Sequence, residues 1–203
     1  MQERPKQTAQ FSAAVISIFP DQSKMITIAL NLNHVLDISV YNPPLVPDDF
    51  EVPEVLETER FRLRPLTIND AVKDFEAVME SEERLRTIFE PVGDWPSGLT
   101  LEQNLIDLGW HQKEFQLRTS FAFTVVDLDE SSVLGCLYID PTRKPGYDAE
   151  ITMWVRQSKV DEGLDEHLFE TVTSWIEDCW PLDNPGYPGR SISYKEWQAL
   201  LPQ

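Results

Sequence analysis

The stretch "LETERFRLRPL", residues 56–66, alternates Phe61 and Leu63 with Arg60, Arg62 and Arg64. Alternation with a period of two predicts a half-buried strand, and Pro65, which lacks a backbone N–H, helps to end it. A helix should follow. Thr67 or Asn69 can cap it, and Val72, Phe75, Ala77, Val78 and Met79 supply a rough apolar stripe. A second helix is expected in "LTLEQNLIDLGWHQKEFQL", residues 99–117. Thr100 is followed three residues later by Gln103, the spacing of a capping box, and Leu101, Leu105, Leu108 and Gln112 share one face.

Further on, "FAFTVVDL" (121–128) and "VLGCLYI" (133–139) flank the acidic turn "DLDESS" and read as an antiparallel hairpin. "AEITMWV" (149–155) is another strand, reached through "DPTRKPGYD". The clearest helix covers 164–180, where Leu164, Leu168, Val172, Trp175, Ile176 and Cys179 recur at three- and four-residue steps. The tail "PLDNPGYPGRSISYKEWQALLPQ" has four prolines and little periodicity.

Upstream, "AAVISIF" (13–19) and "KMITIAL" (24–30) predict a β-hairpin, "VLDISVY" (35–41) a further short strand, and "NPPLVPDDFEVPEV" (42–55) an extended proline-rich connector. The expected division is an N-terminal extension over 1–50 and a main domain over 51–203. The hairpin could pair with an edge of the main sheet.

A chain of 203 residues is long enough to bury roughly 70% of its unfolded surface. With 17 basic against 35 acidic side chains, the net charge of −18 disfavours nucleic acid and anionic membranes as partners. The seven-residue run "AAVISIF" is too short for a membrane span. Cys136 and Cys179 have no CxxC spacing, so neither a metal site nor a disulfide framework is expected, and a soluble cytoplasmic protein is the default. The sequence leaves the oligomeric state open, a homodimer included.

The order strand, helix, helix, three strands, helix, opened by "LETERFRLRPL", resembles the GCN5-related N-acetyltransferase (GNAT) superfamily, most closely its ribosomal-protein N-terminal acetyltransferase-like branch, over residues 55–180. The resemblance implies an α/β (α+β) fold: a mixed, mostly antiparallel sheet flanked by helices. It also implies acetyl-CoA as cofactor and a small-molecule or peptide amine as acceptor. Met153, Trp154 and Val155 stand where the family's strand pairs with the pantetheine arm. Val160, Asp161, Gly163 and Leu164 stand in its pyrophosphate turn.

That turn departs from the family pattern. Val160 replaces a basic or amide residue, and Asp161, Glu162 and Asp165 add carboxylates. One carboxylate ~6 Å from a phosphate costs on the order of 1–3 kcal/mol. Two readings follow. The acids complement the helix dipole, with Ser158 or Asp161 as cap, in a GNAT-fold binding protein that has lost CoA. Alternatively, backbone amides still accept the phosphates, aided by Arg156 and Lys159, with the acids turned outward. Glu150 is the candidate catalytic base and Tyr194, or else Tyr187, the candidate acid. Trp95 and Asp148 are candidate acceptor-binding residues. The resemblance also implies a further strand, helix and hairpin after the main helix, which the tail's sequence does not display.

Overall fold

The computed structural model describes residues 43–89 and 95–201; the expected hairpin and strand at 13–41 lie outside the described residues. The domain holds a six-stranded sheet in sequential order. β1 (Leu56–Glu57), β2 (Arg62–Pro65), β3 (Phe121–Val126), β4 (Val133–Pro141) and β5 (Ala149–Val155) are antiparallel, and β6 (Pro185–Gly186) lies parallel to β5. The mixed, helix-flanked sheet is the expected fold class.

Phe61 and Leu63 are fully buried while Arg62 and Arg64 bridge Glu57, Glu130 and Asp70, as their alternation predicts. Thr67 and Asp70 form a reciprocal capping box around a short 3₁₀ turn, Ile68–Asp70, which leads into α1 (Ala71–Glu80). Thr100 and Gln103 form the predicted box at the start of α3 (Leu101–Leu117).

Three details differ from expectation. Charged residues hide α2 (Glu82–Phe89), of which Leu85 alone is buried. On α3 the buried positions are Asn104 and Leu108, whereas Leu101 and Leu105 are exposed. The reason is polar: Asn104 Nδ2 donates to the Asp74 carboxylate and the Ala71 carbonyl, so an amide fills a position that hydrophobic patterning gives to leucine. Cys179 is exposed, and Trp180 packs in its place against Phe50, Phe121 and Trp175.

β3 is buried along its whole length because both sheet faces are covered. On one face, α5 (Leu164–Cys179) lays Leu164, Leu168, Val172 and Ile176 over Phe123, Leu137, Ile151 and Met153. On the other, α1 and α3 cover Ala122, Cys136 and Trp154. Each large apolar side chain so buried contributes about 1.5–3 kcal/mol. Val46 also belongs to the core, and Arg118 donates to the Pro47 and Phe50 carbonyls. The tail, featureless in sequence, supplies β6 and a short helix, α6 (Tyr194–Ala199), capped by Ser193 and Glu196.

Gly135 marks the tightest backbone approach. A Cβ there would stand 2.0 Å from the Trp154 carbonyl oxygen and 2.8 Å from Val155 Cα. Gly135→Ala is expected to cost about 3 kcal/mol and to lower the melting temperature by about 6–12 °C. A shift below 2 °C would contradict the β4–β5 register.

Candidate functional site

β5 separates two cavities. Its pairing with β6 is confined to Ala149 with Pro185 and Glu150 with Gly186. Trp197 packs on Gly186 and edge-on to Tyr147, closing that end. Beyond it the tail diverges, and a cavity of about 160 Å³ opens between Ile151 and Met153 on one side and Pro188, Gly189, Arg190 and Tyr194 on the other. Arg84 and Ile88 of α2 and Asp165 of α5 complete its wall.

Of the acids at the mouth of this groove, Asp165 and Glu162 are paired, while Asp161 and Glu166 are exposed. Arg190 grips the Asp165 carboxylate through both terminal nitrogens at 2.7 and 2.9 Å, and Arg84 reaches it at 2.9 Å. Burial would raise the Asp165 pKa, but these two guanidiniums outweigh it and hold the carboxyl below its usual range. Two cations on this one carboxylate leave a positive charge over at Asp165, beside the first turn of a 16-residue helix that also carries the exposed Glu166; the helix dipole there favours an anion. Lys159 pairs with Glu162 at 2.8 Å, and Arg60 donates to the Glu162 carbonyl at 2.8 Å. Asp161 is exposed.

No side chain caps α5, whose N-cap is Gly163 at φ +69°. The expected capping by Ser158 or Asp161 is therefore absent. The Ser158 N–H donates instead to Glu80, because α4 (Gln157–Val160) starts against the end of α1. Arg156, expected to aid phosphate binding, is buried and bridges Glu76 and Glu80.

Across β5 lies a larger cavity, of about 360 Å³, whose wall includes Asp74, Asp107, Asp140, His111, Tyr138, Trp95 and Thr152. Asp140 Oδ1 accepts the Ser120 hydroxyl at 2.5 Å. Asp74 accepts from Asn104 and from the Cys136 thiol. Burial raises the pKa of both carboxyls. It also pushes the Cys136 thiol well up, as Asp74 does in turn, so this fully buried cysteine keeps its proton, which it donates to Asp74. His111 Nδ1 is buried with no hydrogen-bond partner among the described residues.

Of the residues singled out from sequence, Met153 lines the groove, and the Val155 carbonyl accepts from Arg84 at 2.9 Å at its far end. Trp154 is fully buried on the opposite face. Gly163 and Asp161 are exposed at the turn, while Leu164 is buried beneath it and Val160 packs on the core. Tyr194 lines the groove, within electrostatic reach of Glu150. Glu150 is half-buried opposite Asp140, with its carboxylate on the Trp197 indole. Burial, with help from Asp140, raises its pKa. Trp95 lies in the larger cavity, edge-on to Phe89.

Asp148 lies in neither cavity. Its carboxylate accepts the Asp183 and Asn184 backbone N–H groups and anchors the tail. Tyr187 is buried against Phe169. The sequence reading missed Arg84, Arg190 and Asp140. A positively charged residue at the end of "NPGYPGR" and another inside "EERLR" carry no local signal of convergence.

Among the described residues, no helix is long and apolar enough to cross a membrane, and no cluster of His, Cys, Asp and Glu side chains is set to hold a metal ion. No protein-family model matches the chain, and no curated protein sequence matches it. Solved structures do. The ribosomal-protein-S5-alanine acetyltransferase of Vibrio fischeri superposes with a TM-score of 0.55 at 18% identity, over 74% of this chain and 82% of that one. The microcin C7 self-immunity acetyltransferase MccE, whose structure holds acetyl-CoA and AMP, gives 0.55 at 9% identity, over 73% and 80%. Sheet order, helix placement and these superpositions agree: the chain has the GCN5-related N-acetyltransferase fold, in the form also found in a ribosomal-protein acetyltransferase.

Proposed function

We propose that the protein is an acyltransferase that moves an acetyl group from acetyl-CoA to a primary amine. The carrying observation is the β5 strand, with an edge that β6 leaves unpaired, a guanidinium-ringed groove along that edge and a carboxylate-lined cavity on the other side. The donors of the groove fit CoA: Arg84 and Arg190 suit a pyrophosphate, together with backbone amides around Val160, Asp161, Gly163 and Leu164. The Val155 carbonyl faces outward to Arg84, so the alternation of a strand turns the Met153 backbone the same way and that of Trp154 toward β4. Met153 and Val155 are then the residues offered to a pantetheine arm.

When bound, acetyl-CoA supplies a thioester activated toward nucleophiles. The protein's own part is to hold and move protons. Asp140 lines the amine cavity and stands across the ladder from Glu150; together they accept the ammonium proton. Burial keeps Glu150 closer to neutral pH than an ordinary carboxylate, which suits a base. Burial also raises the Tyr194 pKa, so its hydroxyl keeps a proton to deliver into the groove.

The test is amine-dependent release of free thiol from acetyl-CoA with formation of the amide. A good acceptor is expected to turn over at ~1 s⁻¹ or faster. Thiol release indifferent to amine, or none with any amine, would contradict the proposal. The absence of any release would favour the second reading, a GNAT-fold binding protein without CoA, for which Arg84 on the Val155 carbonyl is the supporting observation.

A further inference from the structure

The chemistry of the larger cavity narrows the acceptor. We infer that it takes a small primary amine with a single aromatic ring or an equally compact apolar body, not the terminus of a polypeptide. The inference rests on the acyltransferase reading for what happens to the amine, but not for its binding.

Three features of the cavity carry it. Its volume of about 360 Å³ is near the lower limit of small-molecule sites, so a one-ring ligand fills it and a peptide of several residues would lie mostly outside. Its walls are aromatic, with Phe89 and Trp95 in an edge-to-face pair at 5.4 Å and His111 beside Tyr138 at 5.2 Å. Such walls accept a flat apolar body and attract an ammonium group through their π faces.

The lining carboxylates, Asp74, Asp107 and Asp140, give the wall one sign of charge. Asp74 already accepts from Asn104 and Cys136. Asp140 has the Ser120 hydroxyl on Oδ1, and Asp107 is exposed at the rim. Among the described residues no Lys or Arg side chain lines the cavity. His111 adds a buried Nδ1 with no hydrogen-bond partner among the described residues. The Glu114 carboxylate stands 3.9 Å from it, beyond hydrogen-bond distance, which sets a further acid behind this wall. An apolar body with one cationic end satisfies both halves of this wall, whereas a peptide would also bring backbone amides that the aromatic lining cannot pair.

The experiment is calorimetric titration of the full chain, without acetyl-CoA, using 2-phenylethylamine, 2-phenylethanol and an Ala-Ser-Ala tripeptide with a free amino terminus. The amine is expected to bind at sub-millimolar concentration, with the alcohol and the tripeptide each at least tenfold weaker. Asp140→Asn should weaken the amine about tenfold. Asp107→Asn, at an exposed position, should weaken it severalfold. Equal binding of amine and alcohol, tighter binding of the tripeptide, or indifference to both substitutions would overturn the inference. Amine binding without thiol release would leave it standing and overturn the transfer proposal; thiol release to peptides without binding of 2-phenylethylamine would do the reverse.

Discussion

Replacing both Arg84 and Arg190 by glutamine is expected to weaken acetyl-CoA binding by about a hundredfold or more. Charge-assisted hydrogen bonds are worth about 1.5–3 kcal/mol each, and the two guanidiniums are the cations that meet at the first turn of α5. The variant leaves Asp165 half-buried and short of partners, so its fold should be checked by melting. Asp165→Asn separates charge from scaffold. It keeps both guanidiniums and removes the carboxylate that competes for them, so it should bind acetyl-CoA at least as tightly as the unaltered protein. An unchanged affinity in the double variant would place the phosphates elsewhere.

Tyr194→Phe is expected to lower kcat about a hundredfold, the lower end of what general acid catalysis supplies, with little change in KM. The ring remains packed over Gly189, where a Cβ would meet it at 2.4 Å, so the groove wall is preserved and only the hydroxyl is lost. A parallel rise in KM without a fall in kcat would assign Tyr194 to binding and remove it as the acid. The effect should be smaller for thioester donors whose leaving thiolate is less basic, because they need less protonation.

These two predictions depend on residues that sequence reading distributes very unequally. Tyr194 was visible as an aromatic in the tail, but β6 and α6 around it were not. A two-residue strand flanked by prolines has no period to detect, and it is fixed by pairing with β5 and by Trp197 on Gly186. The main framework was legible because its signals are local: alternation at 61–64, the capping box at Thr100 and the stripe from Leu164 to Ile176. The buried face of α3 was not, since Asn104 is buried by Asp74, 30 positions away.

The acidic turn shows the same limit more sharply. Read along the chain, Asp165 is one more negative charge in a phosphate-binding turn. In the fold it gathers Arg84 from 81 positions away and Arg190 from 25, so this carboxylate is outweighed by two guanidiniums. No spacing rule reports a convergence of that kind. Charge counted along a segment is a poor guide when its partners come from other elements.

Calorimetric titration of the full chain with acetyl-CoA tests the central claim most directly, because groove, guanidiniums and turn all enter it. One site per chain is expected, with a dissociation constant in the micromolar range (~8 kcal/mol). The absence of saturable binding up to millimolar acetyl-CoA would contradict it, and would leave a GNAT-fold domain whose groove is held shut by Arg84, Asp165 and Arg190.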